Sequence, residues 1–122
     1  MKEINIYYDQ VNKIIFLQLL NSSIGVNNYI KVKKNIYKLI NISKGKINFF
    51  CDITKMGFLT KELKELWLYI SKKNKINKIV YYNPNILVTL IANLFLVFSK
   101  NKRIRFYCNK ENATDWLKLE SI

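Results

Sequence analysis

The sequence predicts an α/β fold: a mostly parallel five-stranded sheet with an N-terminal antiparallel hairpin and about four helices, in the order ββαβαβαβα. Three observations carry this. Apolar periodicity switches repeatedly between the two-residue repeat of strands and the 3.6-residue repeat of helices. Only the first two strand-like runs are joined by a short turn, and every later pair is separated by a helix-length segment, which implies parallel neighbours with right-handed crossovers. The 122 residues are half hydrophobic and 14% aromatic, which suits one packed domain without repeats, linkers or low-complexity tails.

Ile4 to Tyr8 alternates apolar and polar residues, Asp9-Gln10-Val11-Asn12 is a turn, and Lys13 to Leu19 is the returning strand. Asn21-Ser22-Ser23 breaks the pattern. A helix is expected from Asn27 or Asn28, either an able N-cap, with Tyr29, Val32, Ile36, Leu39 and Ile40 on one face and Lys31, Lys34 and Lys38 on the other. Ser43-Lys44-Gly45 ends it. Lys46 to Ile53 is a third strand, buried on both faces. Thr60 caps a helix that runs to Lys72 and buries Leu63, Leu66, Trp67 and Ile70. Ile76 to Tyr82 is a fourth strand. Asn83-Pro84 opens a third helix to about Phe98, Arg103 to Cys108 is a fifth strand, and Glu111 to Leu117 closes the chain as a short helix with Trp116.

Composition excludes several chemistries. There is no histidine, so a Cys/His zinc site and a Cys/His or Ser/His catalytic pair have no material within one chain. Cys51 and Cys108 stand apart without CxxC spacing and read as reduced, largely buried thiols. There is no Gly-rich phosphate loop and no paired carboxylate, so no catalytic residue, no metal and no cofactor is expected. The N-terminal MKEINIYYDQ lacks the apolar core of a secretory leader. The most apolar run, Ile86 to Phe98, falls short of the ~20 residues of a bilayer span. A cytoplasmic domain is expected.

The net charge of +13 comes from 21 basic residues, all but two of them lysine, beside abundant Asn and Ile. AAA, AAT and ATA codons encode those three, so AT-rich coding accounts for the charge. Sequence-specific DNA readers favour arginine for its two-pronged donor set, and only Arg103 and Arg105 are present. Nucleic acid is not the expected partner.

Two segments, Cys51 to Leu63 (CDITKMGFLTKEL) and Ile91 to Lys118, together with the element order, resemble STAS-like domains, the anti-sigma-factor-antagonist fold. More narrowly they resemble small, stand-alone, uncharacterised bacterial proteins of this type, whose closing signature is matched by Phe106, Ala113, Trp116 and Leu117 with one extra residue before the alanine. The resemblance covers about the last two thirds of the chain. It implies a regulatory domain that binds a partner protein through the end of the third strand and the helix after it. The phosphorylated serine of the antagonists has no counterpart here: Gly57, Phe58 and Leu59 occupy that stretch, and the nearby Thr60 is read as a helix cap.

The candidate partner or ligand surface is therefore Asp52 and Thr60, at the carboxyl end of the sheet, with Leu87, Leu90, Leu94 and Val97 on the third helix. Asp52 ends an apolar strand where α/β folds seat ligands, and its simplest role is to accept the amides of the following turn. The third helix is apolar nearly all round, and a single layer of helices on one sheet face would leave its outer side exposed. Contact with a second copy, contact with lipid, and burial within the domain all stay open. Tyr7, Phe16, Phe50, Tyr82 and Tyr107 alternate along the strands and would line the sheet face away from the helices. The expectation is a non-enzymatic binding or regulatory domain, a homodimer with a regulatory protein partner. Its alternatives are a carrier of a small apolar ligand or lipid, and a weak nucleic-acid binder through the lysine surface.

Overall fold

The computed structural model describes residues 3–22, 24–56, 60–82 and 103–119. Strand β1 (Ile4–Asp9) pairs antiparallel with β2 (Ile14–Leu19), placing Tyr7 opposite Phe16. The Asp9 carboxylate fastens the turn, accepting the N–H of Val11 at 3.0 Å and of Asn12 at 3.1 Å, as well as the Asn12 side-chain amide. Lys13 completes the turn at φ 56°, the left-handed region.

β2 is followed by helix α1 (Val26–Ile42), strand β3 (Ile47–Asp52), helix α2 (Lys61–Ser71), strand β4 (Ile76–Tyr82), strand β5 (Ile104–Tyr107) and helix α3 (Lys110–Lys118). The sheet runs in chain order from β1 to β5, and β2 to β5 are all parallel. The mixed five-stranded sheet thus has the hairpin-then-parallel layout read from the sequence. The expected third helix, from Pro84 to Phe98, lies outside the described residues.

The start of the first helix differs from expectation. α1 starts at Val26 with Gly25 as N-cap rather than at Asn27 or Asn28. The Glu3 carboxylate explains this: it accepts the Gly25 N–H at 2.9 Å and the Asn28 side-chain amide, bringing a negative charge to the positive helix end. At the other end, the Ser43 N–H closes on Leu39 O at 3.2 Å, and Gly45 then turns the chain at φ 83°. α3 is capped by Asn109, whose side chain accepts from Asn112 N at 3.0 Å.

Strand alternation sorts the side chains into two layers. Ile15, Leu17, Leu19, Phe49, Cys51, Ile79 and Tyr81 face α1 and α2, burying Val32, Ile36, Ile40, Leu63, Leu66, Trp67 and Ile70. Ile14, Phe50 and Val80 face the other way and are covered by Ala113, Trp116 and Leu117 of α3. Helices therefore occupy both faces, which corrects the expectation of a single layer. α1 and α2 each link two parallel strands and lie on one side by the crossover rule, whereas α3 links no two of the described strands and its apolar stripe closes on the other face.

The β3–β4 register slips between Ile47 and Phe49, pairing Ile47 with Ile76 but Phe49 with Ile79. Asn48 fills the irregularity: its Oδ1 accepts the Lys78 N–H at 3.0 Å and its amide donates to Leu117 O at 2.8 Å. The extra residue lets both Ile76 and Ile79 face α1 and α2 and turns Lys78 toward α3.

Candidate functional site

At the carboxyl end of β3, half-buried Asp52 accepts the Thr54 N–H at 3.0 Å and the Thr54 hydroxyl on the same oxygen. It acts here as a turn-former. Thr60 accepts the Leu63 N–H at 3.3 Å and caps α2, with Glu62 in the first turn. The two residues thus serve their own local chain. Leu87, Leu90, Leu94 and Val97 lie outside the described residues, as do Gly57, Phe58 and Leu59.

The cysteines differ from each other. Burial pushes the Cys51 thiol well above its ordinary range, so it stays protonated. Cys108 is exposed, contrary to expectation, because β5 ends at Tyr107 and leaves it in the loop before α3. Among the described residues, no three Cys, Asp or Glu side chains form a group able to hold a metal, and no helix is long and apolar enough to cross a membrane.

Aromatic rings form a row across the sheet on the face away from α1 and α2. Tyr7 and Phe16 lie 5.9 Å apart between ring centres, Phe16 and Phe50 5.3 Å, and Phe50 and Tyr82 5.4 Å. Tyr107 and Trp116 extend the aromatic surface under α3 at 6.1 Å. The row grades outward: Phe50 is buried, Phe16 is half-buried and Tyr7 is 61% exposed. On β1 to β3 this face is built from Asn5, Tyr7, Asp9, Ile14, Phe16, Gln18, Asn48, Phe50 and Asp52. It holds no lysine.

α3 is held on this face by a residue that sequence reasoning passed over. Lys78 is 2% exposed, and its Nζ donates to Trp116 O at 2.8 Å and Leu119 O at 2.7 Å. These are carbonyls at the helix C-terminus, where a cation complements the helix dipole. Desolvation, with the nearby Arg105 charge, lowers the Lys78 pKa from its ordinary value. The Arg105 guanidinium lies 4.7 Å from the centre of the Trp116 ring, and Arg103 donates to Ile76 O and Ser71 O. Both arginines make contacts within the fold.

A second surface runs between the exposed faces of α1 and α2. α1 carries Lys31, Lys33, Lys34 and Lys38 and no carboxylate. Lys33, Lys34, Tyr37, Lys38 and Tyr69 line a groove of about 400 Å³.

No family model matches this chain, and no curated protein matches it.

Proposed function

We propose that the chain is a non-enzymatic, cytoplasmic, STAS-like regulatory domain that works by protein–protein contact through the sheet face away from α1 and α2. One observation carries this reading. In a chain with a net charge of +13, the β1–β3 part of that face has no lysine and instead carries an aromatic row ending in the exposed Tyr7. Coding that places lysine freely on wet surfaces has placed none at these strand positions. Aromatic surfaces without lysine are what protein interfaces bury at their centres. The half-buried Phe16 beside Tyr7 offers a shallow anchor site.

Photo-crosslinking in the native cell tests this, with p-benzoylphenylalanine placed at Tyr7 and, as a control, at the exposed Lys64 of α2. A discrete protein adduct is expected at Tyr7 and not at Lys64. Equal labelling at the two positions would count against the sheet face.

A small apolar ligand is the second reading, favoured by Tyr81. Its hydroxyl is buried beside Trp67 and Phe106 and has no hydrogen-bond partner among the described residues. A ligand with one acceptor atom would satisfy it, and native mass spectrometry of the purified protein would reveal such a mass.

A further inference from the structure

We infer that the groove between α1 and α2 is a second docking surface, whose occupant is an acidic, amphipathic protein segment. The inference goes beyond the sheet-face reading and concerns the opposite side of the molecule.

The groove's charge is fixed in place and left without a counter-charge in its lining. Lys33 Nζ lies 5.4 Å from the centre of the Tyr29 ring and 4.9 Å from that of Tyr69. Lys73 Nζ lies 4.4 Å from the Tyr69 ring centre and 6.0 Å from that of Tyr37. Tyrosine faces thus hold two ammonium groups over the groove by attraction to the ring quadrupole. A carboxylate in the same position would have neutralised them. Lys34 and Lys38 add two exposed charges along the same wall. No acidic residue lines the groove among the described residues.

The groove is also apolar, which decides between anionic partners. Tyr37 is 56% exposed, and along α1 it follows Ile30 and Val26, which are 44% and 58% exposed. Their spacing of four and seven residues places all three on one side of the helix. A nucleic-acid strand would use the lysines, and bases would stack on free ring faces. It has little use for Val26 and Ile30, and the Tyr69 ring is already engaged by two lysines. An acidic segment with apolar residues at helical spacing uses both halves: carboxylates meet the lysines, and its apolar stripe covers Val26, Ile30 and Tyr37. At about 1.5 Å per residue, the 17 residues of α1 match a partner helix of similar length.

The test uses three fluorescein-labelled probes in anisotropy titrations against the full chain at about 0.15 M salt. One is a helical peptide of about 18 residues with glutamates on one face and leucines on the other, one is its scrambled version, and one is a thymidine oligonucleotide of equal charge. The patterned peptide is expected to bind about tenfold or more tighter than either other probe. Lys34→Glu with Lys38→Glu should lose most of that binding. Tyr37→Ala should weaken it several-fold at unchanged charge. Both changes are at exposed positions, and a melting curve for each variant checks that it is folded. Tyr7→Ala should leave peptide binding unchanged, which keeps this result separate from the sheet-face reading. Absence of peptide binding, equal binding of the scrambled peptide, tighter binding of the oligonucleotide, or indifference to the groove substitutions would each overturn the inference.

Discussion

Lys78 and Trp116 meet twice: the ammonium donates to the Trp116 carbonyl at 2.8 Å and lies 5.3 Å from the centre of the Trp116 indole. One side chain from β4 thus caps the C-terminus of α3 and packs under its largest residue. Lys78→Met keeps most of the stem but leaves the Trp116 and Leu119 carbonyls without their donor. We expect a loss of about 2 kcal/mol, the scale of charge-assisted hydrogen bonds with a buried partner left unpaired. Urea unfolding followed by tryptophan fluorescence measures it. A variant as stable as the parent would remove Lys78 from any part in holding α3.

The same lysine sets a pH dependence. Its folded pKa lies below the ordinary 10.5, so as pH rises through the folded value the native state gives up this proton while the unfolded chain still holds it. The unfolded state then binds more protons, and this group's contribution to stability grows with pH until the unfolded value is reached. The neutral amine still donates to the α3 carbonyls. The stability difference between the parent and Lys78→Met should therefore increase from neutral pH toward 10.5. Parallel urea series at several pH values check this, and a difference that shrinks over that range would contradict it.

Tyr81→Phe should stabilise the protein by about 1 kcal/mol, because a buried hydroxyl with no hydrogen-bond partner among the described residues carries a desolvation penalty that the variant lacks. Its contacts with Trp67 at 5.3 Å and Phe106 at 5.1 Å are between rings and survive the change. Thermal melting in the absence of added ligand is the measurement. Destabilisation would show that the hydroxyl has a partner in the free protein.

Thr60→Ala should cost about 1 kcal/mol, and Thr60→Ser should restore most of it, since the hydroxyl accepts the Leu63 N–H as a helix cap. Mass spectrometry of protein from its native cell should find Thr60 unphosphorylated. Stoichiometric phosphate there would make it a switch residue.

Self-association through Leu87, Leu90, Leu94 and Val97 is tested by light scattering across a concentration series. The run from Ile86 to Phe98 has no charged residue, and Leu90→Lys or Leu94→Lys should convert a dimer into a folded monomer. A parent protein that stays monomeric at high concentration would end this reading.

The sequence by itself determined the strands and their order. Local alternation separates Ile15, Leu17 and Leu19 from Ile14, Phe16 and Gln18, and a helix that carries the chain back across the sheet makes the neighbouring strands it links parallel. Strand ends fell within a residue or so of those observed, and the Thr60 cap was legible because it involves neighbours in sequence. The aromatic row was legible too, since period-two spacing puts Tyr7, Phe16 and Phe50 on one face once the register is set. Only the tertiary structure decided which lysines are ordinary. Lys78 stands in a lysine-rich stretch and looks solvated, yet a one-residue slip beside Asn48 turns it inward beneath α3. The same holds for Glu3, which moves the start of α1 from across the hairpin. It also holds for Lys33 of α1, which meets Tyr69 of α2 across the groove. Alternation and capping act between near neighbours, whereas these charges take their roles from partners tens of residues away, so only the folded chain assigns them.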